Sequence, residues 1–237
     1  MRLDVYLFEN SFAQSRNKAG EMIKNREVLV DGSVITKASF KVDSDSQIKV
    51  EEKVQYVSRA ANKLKGFFQD SDALHVEGIK CLDIGSSTGG FVQVLLENGA
   101  LHVTGVDVGS DQLHTSLRGD KRISLYEKTD IREFKSKEKF DLVTCDVSFI
   151  GVNQILEDID RLADNIILIL FKPQFEVGVG VKRTTKGVVK DESAINRVKE
   201  KFVSRCFTLG WRLLDTKESI LKGKEGNEET FYCFSKR

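Results

Sequence analysis

The chain has 237 residues, of which 40% are hydrophobic, so it is long enough for one ordinary domain with a hydrophobic core and a small additional module. Its 37 lysines and arginines nearly balance 36 aspartates and glutamates, and a net charge of +1 excludes any inference of nucleic-acid binding from overall charge. The four cysteines are widely separated and form no C-x-x-C pair, which favours buried reduced thiols over a zinc site. We therefore expect no metal.

The first residues are polar and lack the hydrophobic segment of a signal peptide. The most hydrophobic run, residues 166–171, is far shorter than the roughly 20 residues that are needed to cross a bilayer. These features predict a cytoplasmic protein that does not associate with membranes.

Residues 1–52 are predicted to form a small α+β module of two short helices followed by strands, with a turn at Asp31-Gly32. Segment 15–26 contains four basic residues and one acid, a local charge of +3. Taken alone, such a basic face is most often an ordinary solvated surface. The hydrophobic positions that recur at helical spacing in the second helix, and should pack inward, are Ala19, Met22 and Ile23.

A charged stretch interrupts the strand pattern after this module, which predicts a linker at 53–60 and a second domain at 61–237. Strand-like and helical segments then alternate, as in a parallel sheet with helices on both faces. The predicted strands are 79–84, 103–108, 123–126, 140–146, 166–172, 211–216 and 230–234, and the predicted helices are 91–98, 111–117, 150–162 and 192–207. This is a Rossmann-like α/β fold, in which ligands bind at the carboxyl ends of the strands.

A loop of small residues follows the first of these strands and leads directly into a helix. It lacks the Gly-Lys-Ser/Thr of a phosphate loop and the G-x-G-x-x-G of a dinucleotide site, which favours S-adenosylmethionine (SAM) as its ligand. A tight packing turn is the alternative. The residues that we assign to cofactor binding in this loop are Asp83, Gly85, Ser87, Thr88, Gly89, Gly90 and Phe91.

Two further acids follow the next two strands. Asp107 is placed to accept hydrogen bonds from ribose hydroxyls, although dehydrogenases use an acid in the same way. Asp130 is placed to accept a hydrogen bond from the adenine amino group. The ordered set of strand-end acids favours an adenosine-containing cofactor.

Charged residues also lie where a base could act on a weakly acidic hydroxyl group. A lysine can be that base only if burial or neighbouring cations lower its pKa. Lys172 closes the fifth predicted strand before the chain's only proline, and Asp146 follows the fourth. Lys63 lies on a helix before the first strand, and Glu229 precedes the last. Taken singly, a charged residue at such a position more often lies at the surface than in an active site.

Together, these segments resemble the TlyA family, which is historically labelled haemolysins and belongs with the FtsJ-like 2′-O-ribose methyltransferases. The match covers nearly the whole chain. Its motifs are Ser58-Arg59…Lys63-Leu64, Asp83-x-Gly85-x-Ser87-Thr88-Gly89-Gly90-Phe91, Gly105-Val106-Asp107-Val108-Gly109, Asp146-Val147-Ser148-Phe149 and Lys172-Pro173-Gln174-Phe175-Glu176. This chain departs from the family pattern at Ala60-Ala61, where paired glycines are usual, and at Ile220, where proline is usual.

The resemblance implies SAM as cofactor and a Lys-Asp-Lys-Glu catalytic tetrad at Lys63, Asp146, Lys172 and Glu229. We assign Lys172 as the base. Asp146, which we also count among the cofactor-binding residues, and Lys63 would position that base and the hydroxyl, while Glu229 would orient the group near the ribose.

The N-terminal module resembles the RNA-binding module named after ribosomal protein S-four, which suits recognition of RNA shape and phosphates. The RNA-contact residues that this implies are Arg16, Lys18, Lys24 and Arg26. We add Arg59 and a basic loop that carries four cations and no acid, Lys182, Arg183, Lys186 and Lys190, as contacts to the RNA backbone.

The resemblance further implies a cytidine ribose of ribosomal RNA as substrate and a ribosomal subunit as partner. Methylation by some members favours the binding of antibiotics such as capreomycin. This chain is similar to the shorter type of member, associated with 23S rRNA alone. The alternatives are a membrane-active haemolysin and a ribosome-assembly factor that binds RNA without catalysis. The sequence does not indicate an oligomeric state.

Overall fold

The computed structural model describes residues 1–43, 45–50 and 56–236, and the chain divides into two compact units, Met1–Gln55 and Tyr56–Arg237. Residues 53–55 of the predicted linker lie outside the described residues. Of the remainder, Arg59 already begins helix α3, Arg59–Asp70. The last residues that the sequence assigned to a linker are therefore helical.

The first unit contains two helices, α1 (Leu3–Glu9) and α2 (Arg16–Lys24), and a three-stranded antiparallel sheet. Ser15 begins α2 by accepting a hydrogen bond from the Lys18 amide, a standard N-cap arrangement. The three hydrophobic residues predicted to face inward from α2 are buried. The strands are β1 (Val28–Val30), β2 (Ser33–Val34) and β3 (Ile48–Val50), in the order β2-β1-β3, and the predicted Asp31-Gly32 turn joins the first two.

The second unit is a seven-stranded sheet in the order β6-β5-β4-β7-β8-β10-β9. Its strands are β4 (Lys80–Ile84), β5 (His102–Val106), β6 (Ile123–Tyr126), β7 (Phe140–Cys145), β8 (Ala163–Phe171), β9 (Arg212–Glu218) and β10 (Thr230–Ser235). Besides α3, its helices are α4 (Gly90–Glu97), α5 (Leu156–Leu162), α6 (Pro173–Glu176) and α7 (Glu192–Thr208), with a 3-10 turn at Val152–Gln154.

Hydrophobic cores form on both faces of this sheet. On one face, Leu64 of α3 and Leu95 of α4 belong to the same cluster as Phe231 of β10. On the other, Ile159 of α5 and Phe202 of α7 pack with residues of β7 and β8. The predicted Rossmann-like architecture with helices on both faces is confirmed.

The sheet is mixed, not wholly parallel, because β10 runs antiparallel to both β8 and β9. The predicted helix 111–117 is also wrong, since this segment consists of turns. Its leucines, Leu113 and Leu117, are buried at helix-like spacing, but they pack over Gly89. The amide of His114 donates to the carbonyl of Thr88, a bond to another segment in place of a helical one.

All four cysteines are buried and unbonded to one another. Within residues 1–43, 45–50 and 56–236, no three His, Cys, Asp or Glu side chains are grouped so that they could hold a metal ion. Over the same ranges, no helix combines the length and the hydrophobicity that a membrane span requires.

Candidate active site

The sheet topology brings the strand-end residues to one edge. Strands β4 and β7 are parallel neighbours, yet the chain runs from β4 to β5 on the opposite side, so a crevice opens between the loops that follow them. Because β10 is antiparallel to β8 and pairs Thr230 with Phe171, the residue before β10 lies beside the residue after β8. Glu229 and Lys172 therefore meet at the carboxyl edge of the sheet.

The four residues of the predicted tetrad form two buried ion pairs. Lys172 Nζ lies 2.6 Å from Asp146 Oδ1, and Lys63 Nζ lies 2.5 Å from Glu229 Oε2. Both lysines are only 8% exposed. Helix α3 supplies Lys63, so the cluster joins that helix to the ends of three strands.

The electrostatics of Asp146 link the two pairs. Burial raises the pKa of this carboxyl, and the Lys172 and Lys63 ammonium groups oppose the rise, while Glu229 adds to it. Two cations thus face two carboxylates in a poorly hydrated site, where removal of any one charge would leave another uncompensated.

Two further residues, which the sequence reasoning missed, bind this cluster. Lys172 Nζ donates to Ser148 Oγ at 2.9 Å, and Gln174 Nε2 donates to Glu229 Oε1 at 3.3 Å. Each lies two positions after a tetrad residue, at a strand end. This spacing could have identified both residues from the sequence, because a side chain just after a strand end can lie at the same edge of the sheet.

A cavity of about 400 Å³ lies beside the cluster at the ends of β4, β5 and β7. Asp107 is fixed on its wall, because Oδ2 accepts from the Ser87 amide at 2.8 Å and Oδ1 from the Gly109 amide at 2.7 Å. Other walls are hydrophobic, formed by Val108, Ile131, Phe149 and Ile155. The cavity thus combines an anchored acid with a nonpolar slot.

Asp130 also lines this cavity, but its carboxylate already has partners. Arg132 Nε donates to Oδ1 at 2.9 Å, and Arg132 Nη2 donates to Oδ2 at 2.5 Å. This ion pair lowers the pKa of Asp130. An adenine amino group would have to share the carboxylate with this arginine.

The predicted loop glycines serve different purposes. Gly85 has a φ of 82°, and a Cβ there would lie 2.9 Å from the Asp146 carbonyl oxygen, so only glycine fits. At Gly90 a Cβ would overlap Ser58 Oγ, so this glycine permits close packing of α4 against α3. Phe91 is 2% exposed and stacks on Phe231 in the core, which makes its side chain mainly structural.

A second cavity of about 170 Å³ adjoins Lys172 and is lined by Ser87, Thr88, Gly90 and Phe91 among others. Three buried polar atoms on its wall, Ser58 Oγ, Asp83 Oδ2 and Ser86 Oγ, have no hydrogen-bond partner among the described residues. Burial raises the pKa of Asp83 to about 7, while Thr144 donates to its other oxygen at 2.7 Å. Buried polar atoms of this kind call for a polar ligand or water.

Comparison with known proteins connects this site to a family. Residues 56–236 match the FtsJ-like methyltransferase family, and residues 1–48 match the S4 domain. A Campylobacter jejuni protein named 23S rRNA (cytidine-2′-O)-methyltransferase TlyA is 48% identical over the full length of both chains. The chain belongs to the TlyA family of FtsJ-like methyltransferases.

Two more similar proteins extend the comparison. The Mycobacterium tuberculosis protein named 16S/23S rRNA (cytidine-2′-O)-methyltransferase TlyA is 38% identical, over 97% of this chain and 88% of its own length. A Lactococcus lactis protein named as a hemolysin has a solved structure with a TM-score of 0.72 and 33% identity, covering 78% of this chain and 90% of its own.

Membership in the TlyA family implies SAM as the methyl donor, and the residues present fit that molecule. The larger cavity offers an anchored acid and a nonpolar slot, which suit the ribose hydroxyls and the adenine ring. The smaller cavity offers unpaired oxygens, which suit the cationic methionine end.

The basic residues predicted on α2 and just beyond it are all exposed. Arg16 also donates to Asp4 Oδ2 at 3.1 Å, and Lys18 lies 3.5 Å from Glu21. In the second unit, Lys182, Lys186 and Lys190 are exposed. Arg183 donates to the carbonyls of Gln174 and Gly178, and Arg59 donates to that of Lys222. Some of the side-chain donors of these two arginines are therefore already bonded to backbone carbonyls of the protein.

Proposed function

We propose that this chain transfers a methyl group from SAM to the ribose 2′-hydroxyl of a cytidine in 23S rRNA. The observation that carries the proposal is the buried Lys172–Asp146 pair at the sheet edge, beside a cavity suited to adenosine. The 23S assignment rests on the C. jejuni relative, which is more similar to this chain than the relative named for both 16S and 23S rRNA.

For the cofactor, Asp107 would accept hydrogen bonds from the ribose hydroxyls through its remaining lone pairs. Val108 and Ile131, which line the larger cavity, would hold the adenine ring. Asp83, with its unpaired oxygen, would bind the amino group of the methionine end. When bound, SAM supplies an electrophilic methyl group carried by a sulfonium.

For the substrate, Lys172 is the base for deprotonation of the 2′-hydroxyl, and it must be a neutral amine to act as one. Asp146, 2.6 Å away, then stabilises the ammonium that forms. Glu229, which precedes β10 and is held by Lys63 and by Gln174, orients the hydroxyl. In such an arrangement, positioning supplies much of the rate enhancement.

For the partner, exposed Arg16, Lys18, Lys24 and Arg26 of the S4 domain contact RNA phosphates. The lysines of the loop at 182–190 supply further backbone contacts. The protein would meet its ribosomal subunit in the cytoplasm, and methylation there would influence susceptibility to capreomycin.

The test uses large ribosomal subunits from a strain that lacks this enzyme, with radiolabelled SAM and the full chain. Since a 2′-O-methyl group blocks alkaline cleavage, we expect label in 23S rRNA at an alkali-resistant linkage beside a cytidine. Small subunits serve as the control for specificity. Label on a base, or none despite SAM binding, would contradict the proposal, and binding of rRNA without SAM would favour an assembly factor.

A further inference from the structure

Lys172 has limited access to a substrate. Its side chain is 9% exposed, and the Asp146 side chain against it is 13% exposed. The third member of this contact, Ser148, is exposed, and its Oγ lies 2.9 Å from Lys172 Nζ. The serine hydroxyl is therefore the accessible end of a chain of polar groups that leads inward to the amine.

Ser148 also lies at the junction of the two cavities. Like Asp146, it lines both the larger cavity beside Asp107 and the smaller one beside Asp83. If the cofactor spans these cavities, its methyl group lies between them, close to Ser148. Because Ser148 is exposed and Lys172 is only 8% exposed, a ribose hydroxyl that approaches from solvent would meet the serine before the lysine.

The loop that carries Ser148 has an unusual backbone conformation and a nearby attachment to α6. The next residue, Phe149, has a φ of 70°, a strained conformation for a bulky side chain. A few residues on, Asn153 Nδ2 donates to Glu176 Oε2 at 2.9 Å, which fastens the same loop to α6. A hydroxyl on a fixed turn is suited to proton transfer, because both of its hydrogen bonds can form without rearrangement.

We propose that Ser148 carries the proton from the ribose 2′-hydroxyl to Lys172, an inference that rests on the proposed function. A serine hydroxyl can accept one hydrogen bond while it donates another. The ribose O–H bond breaks and Ser148 Oγ takes that proton, while the proton of Ser148 passes to the neutral amine of Lys172. As the ribose oxygen bonds to the methyl carbon, the bond from that carbon to sulfur breaks. The sulfonium becomes a neutral thioether, and the positive charge ends on Lys172 beside Asp146.

The test compares Ser148→Ala with Ser148→Thr, which keeps the hydroxyl, and with Ser136→Ala, an exposed serine in another loop, as control. Single-turnover methylation is measured at saturating SAM and subunits, with SAM affinity measured separately. We expect Ser148→Ala to be about 100-fold slower with unchanged SAM affinity, and Ser148→Thr to recover most of the rate. A Ser148→Ala rate within threefold of wild type would overturn the relay.

A proton inventory in mixtures of light and heavy water gives a second readout. Two protons move together in the relay, so the wild-type rate should depend on deuterium fraction along a curve, whereas direct transfer to Lys172 gives a straight line. A straight line for the wild type would overturn the relay even if Ser148→Thr failed to fold. Absence of methylation by the wild type would instead be a failure of the proposed function.

Discussion

The same residue types do different work in the two units. In the first unit, the lysines and arginines on and near α2 are exposed; Lys18 pairs with the exposed Glu21, and the exposed Arg16 pairs with the buried carboxylate of Asp4. In the second, Lys63 and Lys172 are buried and paired at the sheet edge. Exposed pairs contribute roughly 0 to 1 kcal/mol, whereas a buried charge depends strongly on its partner. The net charge of +1 reveals neither the exposed basic residues nor the buried lysines, because each buried lysine is paired with a carboxylate.

Removal of one partner should give the largest effect on stability. Lys63→Ala leaves Glu229 buried without its cation, which we expect to lower the free energy of unfolding by about 3 to 5 kcal/mol. Lys18→Ala, at an exposed position, should change it by less than about 0.5 kcal/mol. The stability of Lys63→Ala is measured by urea unfolding, followed by the fluorescence of Trp211, the only tryptophan and a buried residue of the second unit. The stability of Lys18→Ala is measured by circular dichroism in the same titration. Equal losses of stability in the two variants would refute the contrast between buried and exposed ion pairs.

Asp83 should give the next largest effect, through pH. Its pKa is raised from 3.8 to about 7 by burial, so the folded protein binds more protons than the unfolded chain between these values. Stability should therefore fall as pH rises through this window and level off above it, by at most about 4 kcal/mol. Asp83→Asn should lack this pH-dependent contribution to stability when it is compared with the wild type by urea unfolding at pH 5 and pH 8. The same change in stability between the two pH values in both proteins would contradict the raised pKa of Asp83.

Asp107 should affect cofactor binding but not the tetrad. Loss of a charged hydrogen-bond acceptor costs about 1.5 to 3 kcal/mol, so Asp107→Ala should weaken SAM binding by about 10- to 100-fold. Calorimetric titration measures the affinity. Asp111→Ala, a nearby acid whose side chain is 87% exposed, is the matched control and should bind SAM like the wild type.

The exposed lysines should give the smallest effects. Lys18→Ala and Lys24→Ala should each weaken binding to large subunits by a few-fold and reduce the slope of log affinity against log salt by about 1. SAM affinity should not change. Lys80→Ala, an exposed lysine of the second unit, is the control, and an unchanged salt slope in the α2 variants would argue against phosphate contacts there.

The sequence was informative where a residue's position follows from strand order. Lys172 and Asp146 each follow a hydrophobic strand, and parallel neighbours end at one edge, so their meeting could be predicted. The reversal of β10 could not, because periodicity carries no strand direction. That reversal is what places Glu229 beside Lys172.

Local pattern also misled where tertiary contacts decide the backbone. Leu113 and Leu117 have helical spacing, yet their segment folds as turns over the cofactor loop. Gly90 and Phe91 belong to a cofactor motif, but one admits helix α3 and the other fills the core. Ser148 was quoted only as part of a motif, since its bond to Lys172 depends on two loops from different strands.

The most direct test of a buried lysine as the base is single-turnover methylation by Lys172→Ala, with SAM and large subunits both saturating. Lys182→Ala, which removes an exposed lysine, is measured in parallel. We predict that Lys172→Ala loses about 100- to 10,000-fold in rate while its affinities for SAM and subunits stay near wild type, and that Lys182→Ala keeps its rate at saturation. A Lys172→Ala enzyme that methylates 23S rRNA at the wild-type rate would contradict the account.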